Sequence, residues 1–285
     1  HRWIATERTT LDCIQMEEQG MDVIKQHLAS GDLAQAIEEV QQQVKTQPGA
    51  AELRASLIEL LCVAGDLERA DDMLGSLARH HPAWLAGAAN LRQLIRAQQA
   101  RLAFHQGRLA EDVVVCESTN LESILALRAA LNDQDFAAAE AAAVTLEHQR
   151  PGTEFRLGES SGDIRDCDDS LCDFLEALGA DGKFYLWRWS ELEAIEFYPP
   201  TSPVELVWRR ADVELLSGKQ GEVFIPLIYA ASETDQERLG RVTEWHTHSE
   251  GLVTGLGLKQ FLVGDDAVGL EALKRADRVA VAYAD

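Results

Sequence analysis

The sequence predicts an α+β protein in which an N-terminal array of helical repeats is followed by a smaller mixed, mainly antiparallel β domain with helices. Two observations carry this reading. The run Gly31-Asp32-Leu33, with Ala36 and Pro48, recurs 34 residues later as Gly65-Asp66-Leu67, with Ala70 and Pro82. After Pro151-Gly152, helical periodicity gives way to short aromatic and β-branched runs bounded by Pro, Gly and Ser. A 34-residue period belongs to helix-turn-helix repeats of the tetratricopeptide kind, which stack to bury faces that no single repeat buries alone. Such arrays usually grip a segment of another protein, so the first function class is a binding module.

Each slot of the repeat has a mechanical role. Gly and Asp end one helix and start the next, a small Ala lets paired helices approach, and Pro closes the second helix where no amide is needed. Leu53, Leu57, Ile58, Leu60 and Leu61 fall at helical spacing, as do Leu67, Ala70, Met73, Leu74 and Leu77 in the next helix, and both stripes read as core. A degenerate third copy stands at Gln134-Asp135-Phe136, Ala139 and Pro151, with helices expected near 85–108 and 119–131 between. The alanine-rich stretch Ala137–Val144 is a helix by propensity. Domain bounds follow: an extension over 1–20, the array over 21–151 and the mixed domain over 152–285. Met21 makes a sensible initiator, and His1–Gly20 is then an upstream extension, an added segment or an extra helix docked on the array.

In the second half, residues 170–178 read as helical. The runs Lys183–Trp187, Val204–Trp208 and Glu222–Pro226 read as strands, with Trp187, Trp189, Trp208 and Trp245 as core and sheet-face anchors. No stretch reaches 18 uncharged apolar residues and no basic segment precedes an apolar one at the start, so neither a membrane span nor a secretory signal is expected, and the cytoplasm is the default location. Five scattered cysteines read as reduced thiols. The formal charge of −22 divides into about −9 over residues 1–151 and about −13 over 152–285. Neither half carries a basic footprint for phosphate, which makes nucleic acid and anionic membrane poor partners and favours a basic or apolar protein surface.

Three clusters bear on chemistry. Glu244-Trp-His246-Thr-His248-Ser-Glu250 is the best metal candidate, because alternate residues of a strand share a face, but spacing assigns no third or fourth ligand to His246 and His248. Asp163-Ile-Arg-Asp166-Cys-Asp168-Asp169 lacks the spacing of a calcium loop, and its acids read as capping the helix expected after them. Cys167 and Cys172 stand too far apart for a two-residue thiol spacer. No nucleophile elbow, P-loop or dinucleotide fingerprint stands in the right context, so no catalytic set and no cofactor are assigned.

Beyond these patterns stand Ala29-Ser-Gly31-Asp-Leu33, Leu60-Leu-Cys62, Gly182-Lys-Phe-Tyr185-Leu-Trp187, Ile195-Glu-Phe197 with Pro199-Pro200, Leu206-Val-Trp208-Arg209, Ile225-Pro226 with Tyr229, and Leu239-Gly-Arg241-Val-Thr-Glu244-Trp245. In these motifs, and in their order from about Met21 to Phe261, the chain resembles the ImpE/TagJ family, accessory proteins of bacterial type VI secretion clusters. The resemblance implies a cytoplasmic, non-enzymatic accessory that binds the small subunit of the contractile sheath and helps the sheath-recycling AAA+ ATPase find its substrate. His1–Gly20 and the tail after about Gly264 lie outside the pattern. The mode expected is capture of an amphipathic helix in a groove, with Glu52, Ala55 and Glu59 on the inward face of repeat two and Lys25 offered by the preceding helix. The alternatives are a general tetratricopeptide scaffold for another client and a metal-dependent enzyme using Glu244, His246 and His248.

Overall fold

A computed structural model describes residues 23–109, 111–115 and 121–279. The expectations for His1–Gly20 and Met21 lie outside the described residues. The helical region comprises α1 (23–30), α2 (Leu33–Thr46), α3 (Ala51–Val63), α4 (Leu67–His80), α5 (Leu85–His105), α6 (Leu121–Asn132) and α7 (Phe136–Gln149). At three helix hairpins the residue before the Asp sits in the left-handed region: Gly31 at φ 84°, Gly65 at 79° and Gln134 at 57°. The next amide then closes back five residues, Asp32 to the His27 carbonyl, Asp66 to Leu61 and Asp135 to Ala130, each at 2.9 Å. This is the Schellman closure, which satisfies helix-end carbonyls and favours glycine at the turn. Ala36, Ala70 and Ala139 are fully buried between paired helices. The third copy is therefore a genuine repeat turn whose glycine has become Gln134.

Capping differs among the copies. Asp135 accepts the Ala138 amide with its own side chain at 3.1 Å, whereas Asp32 and Asp66 make no such cap. The start of α2 is served from the other half of the chain: Asp235, in the short helix α8 (Asp235–Arg238), accepts the Ala34 amide at 2.7 Å. Gln236 donates to the Ser30 carbonyl at 3.1 Å and Arg241 to Leu28 at 2.9 Å, so the first repeat turn is clamped by the second half.

The sheet half contains β2 (Glu154–Leu157), β3 (Ser160–Asp166), β4 (Phe174–Gly179), β5 (Phe184–Arg188), β6 (Leu192–Phe197), β7 (Trp208–Leu215), β8 (Gln220–Pro226), β11 (Phe261–Val263), β12 (Asp266–Val268) and β13 (Arg275–Arg278). With β1 (Val113–Val115) they form one sheet in the order β1-β5-β4-β8-β7-β6-β13-β2-β3-β11-β12. Its pairings are antiparallel except where β1, from the connection between α5 and α6, runs parallel to β5. A separate hairpin joins β9 (Thr243–Ser249) to β10 (Leu252–Gly257).

Two sequence expectations are corrected here. Residues 170–178 are not a helix: Phe174–Gly179 form β4, every residue of it buried. One face of β4 (Phe174, Leu178) belongs to the core shared with the helices, and the other (Leu175, Ala177) to the sheet's own core. A strand buried on both faces reads as a continuous apolar run, and periodicity cannot separate that from a buried helix. Its preceding acids therefore cap no helix; Asp163 instead pairs with Arg150 at the end of α7, at 2.6 Å and 2.8 Å. Val204–Trp208 is not one strand either. Pro203 sets a helical φ of −54°, the turn Val204–Leu206 is 3₁₀, and Glu205 accepts the Thr201 amide at 2.7 Å before β7 begins at Trp208. Trp189 and Trp208 are buried anchors as expected, while Trp245 is 41 % exposed.

The left-handed Gln134 yields a direct test. Gln134→Gly relieves a conformation that costs an L-residue roughly 1–2 kcal/mol, offset in part by the greater entropy glycine loses on folding. The variant is expected to be more stable by about 0.5–1 kcal/mol in urea unfolding; a loss of stability would contradict the assignment of that turn.

Candidate functional site

Where α5 lies against β4, with α6 beside it, six charged side chains are enclosed. Glu176, in the middle of apolar β4, points with Phe174 and Leu178 toward the helices because alternate strand residues share a face. Arg101 on α5 grips it with both ends of its guanidinium, Nε to Oε1 at 2.9 Å and Nη2 to Oε2 at 2.8 Å, and Nη2 also donates to the Ile228 carbonyl at 2.9 Å. Lys259, just past β10, places Nζ 2.8 Å from Glu176 Oε2 and 3.3 Å from Asp166 Oδ2. Asp166 also accepts the Tyr229 hydroxyl at 2.8 Å and the Asp168 amide at 2.9 Å. Asp168 in turn accepts the Ser170 amide and hydroxyl and the Gly255 amide. Arg128 on α6 donates to the Ser170 carbonyl at 3.1 Å and lies 5.6 Å from the centre of the Phe104 ring.

Three carboxylates thus face three cations, with His105 beside them, its Nε2 2.6 Å from Glu176 Oε1. Burial drives His105 down to about 3 and the Arg128 charge adds to this, against the pull of Glu176. The ring is therefore neutral and donates its Nε2–H to the carboxylate. Burial alone would raise Glu176; Arg101, Lys259 and His105 outweigh it and hold the carboxyl well below its usual range. Burial pushes Asp166 up to about 6 despite Lys259. Removing one partner from a buried set of this kind leaves a charge uncompensated, at a typical cost of about 3–5 kcal/mol.

Beside this cluster a cleft of about 610 Å³ opens between α3, α5 and α6 and the sheet half. His246 and His248 both line it, as their alternate positions on β9 require. Their rings stand perpendicular with centres 6.2 Å apart; His248 stacks on Phe136 and contacts the Thr254 hydroxyl through Nε2 at 2.9 Å. Burial and the neighbouring His246 lower the His248 pKa. Glu244 is exposed, and among the described residues no group of three or more His, Cys, Asp or Glu is placed to hold a metal. Burial pushes the Cys172 thiol up to about 12 and Cys167 to about 11, so neither is a ready thiolate.

The residues expected to bind protein are distributed unequally. Glu52, Ala55 and Glu59 share a face of α3, exposed, half-buried and half-buried in turn, and Lys25 is exposed on α1. Glu59 accepts the Val204 amide at 3.1 Å, and burial raises its pKa. Its carboxylate is therefore engaged with the sheet half. Sequence reasoning missed Arg101, His105, Arg128, Asp166, Asp168, Glu176 and Lys259 as a set. The available signal was a lone charge inside an apolar run, as at Glu176 between Leu175 and Leu178.

The family described as "ImpE protein" matches residues 158–277, and the tetratricopeptide repeat family matches residues 27–95. The chain is 29% identical over 252 residues to the type VI secretion system accessory component TagJ of Pseudomonas aeruginosa, covering 86% of each. The chain carries an ImpE domain and resembles TagJ along most of its length. The crystal structure of protein VPA1032 from Vibrio parahaemolyticus superposes on this fold with a TM-score of 0.85 at 34% identity, covering 91% of this chain and 98% of the other. Among the described residues no helix is long and apolar enough to cross a membrane.

The neutral His105 predicts an acid-sensitive contribution. Its folded pKa lies below the ordinary imidazole value of 6.5, so the stability it lends is complete above that value and is lost as pH falls toward about 3. Comparison with His105→Gln isolates this term from the opposing one of Asp166. Between pH 7.5 and pH 5, wild type should lose about 2 kcal/mol relative to the variant in urea unfolding. A pH-independent difference would show that His105 titrates alike in the folded and unfolded chain, and a gain of wild-type stability on acidification would show that it is charged in the fold.

Proposed function

We propose that this protein is a non-enzymatic accessory of a bacterial type VI secretion system. It binds the small subunit of the contractile sheath by taking an amphipathic helix, and it assists delivery of the sheath to the recycling AAA+ ATPase in the cytoplasm. The observation that carries the reading is the match to TagJ along most of both chains. Tetratricopeptide repeats, whose stacked helices commonly hold peptide segments, support a protein client. The array over 21–151 supplies the gripping face and the domain over 152–285 braces it. On α3 and α1, Glu52, Ala55 and Lys25 belong to the contact face; Glu59 reaches it only at its edge, since its carboxylate serves the 3₁₀ turn at Val204.

The charge of −22 favours a basic partner surface that speeds encounter, while apolar anchors on the client helix supply affinity. The purified full chain is expected to pull down the small sheath subunit, and doubling the salt should weaken the complex only partly. Glu52→Lys should slow association more than it speeds dissociation, measured by surface plasmon resonance. Failure to bind any sheath component or its peptides would overturn the reading.

A further inference from the structure

The cleft between the two halves has the size of a small-molecule site, about 610 Å³, and its unsatisfied polar atoms indicate what would fill it. Leu102, Trp208 and Ile228 give it apolar walls. Arg128 and Gln98 reach it from α6 and α5, and each carries a buried atom with no hydrogen-bond partner among the described residues: the donor Arg128 Nε and the acceptor Gln98 Oε1. Arg128 is only 4% exposed. Native proteins seldom leave such atoms unmet, and here two of opposite character line one cleft. Asp168, the buried acid in the same wall, has Oδ1 occupied by the Ser170 amide and hydroxyl and Oδ2 by the Gly255 amide, so it does not cover Arg128 Nε. His246 and His248 add two imidazoles to the lining.

We propose that this cleft binds a small anion carried on a hydroxylated carbon skeleton, a hydroxycarboxylate or a phosphorylated polyol, whose anionic oxygen accepts from Arg128 Nε while a hydroxyl donates to Gln98 Oε1. A bare anion leaves Gln98 unmet, and a neutral polyol forgoes the charge-assisted hydrogen bond that Arg128 Nε offers. Trp208, Ile228 and the His246 strand come from the sheet half and Arg128 and Gln98 from the helices, so the ligand touches both and stabilises the folded body that joins them. The proposal is independent of the adapter reading, and a failed sheath pull-down leaves it standing.

Isothermal titration of the full chain with citrate and with sn-glycerol 3-phosphate, at ionic strength matched with sodium chloride, tests it. One of the two is expected to bind saturably with Kd below about 1 mM, which also decides between carboxylate and phosphate. Sulfate, which has no hydroxyl, should bind more weakly and be indifferent to Gln98→Leu. For the binding probe, Gln98→Leu and Arg128→Gln should each weaken affinity about 10-fold or more. Because Arg128 also holds the Ser170 carbonyl, Gln98→Leu decides alone if Arg128→Gln fails to fold. Absence of saturable binding by both probes, or unchanged affinity in Gln98→Leu, overturns the proposal.

Discussion

A carboxylate in the middle of a strand buried on both faces is the constraint around which the rest of this molecule is arranged. Glu176 has no water to turn to, so its charge must be met by protein, and the partners come from α5 through Arg101 and His105 and from the segment after β10 through Lys259. Helix array and sheet are thereby fixed to one another at their shared core. The apolar surroundings agree: one continuous core runs from Leu33 and Ile58 through Phe104 to Phe174, Phe184 and Tyr229. In a non-polar medium the ionic contacts add little net stability, but they penalise any other register of helix against sheet, because each alternative strands a charge.

The same fixation changes what a tetratricopeptide array can do here. In a free-standing array the inner helix faces are open for a client. Here α5 lies on the sheet, Glu59 of α3 serves the turn before β7, and the α1–α2 turn is held by Asp235, Gln236 and Arg241. What remains is a narrower face on α1 and α3 and an inter-half cleft with charge at its floor. The array is thus one wall of a two-part body.

How much of this could be read in the chain follows from the range of each interaction. The helix hairpins were legible because their chemistry is local: a left-handed residue, an amide closing back five positions and a buried alanine all lie within a few residues, and even Gln134 kept the turn. β5 and β8 were legible from aromatic and β-branched runs between Gly and Pro. β4 was not, since burial on both faces erases alternation and leaves a run that fits a helix equally well. The ionic cluster escaped because its partners are remote, Arg101 and Glu176 standing 75 positions apart, and no spacing rule connects them. His246 and His248 alternate along one strand, yet the contacts of His248 with Phe136 and Thr254 come from two different elements that no local pattern connects.

If the buried charges and shared core join the two halves, neither half has a melting transition of its own. Differential scanning calorimetry of the full chain tests this directly. The account predicts one transition whose calorimetric and van't Hoff enthalpies agree. Two resolved transitions, with the helices melting apart from the sheet, would contradict it.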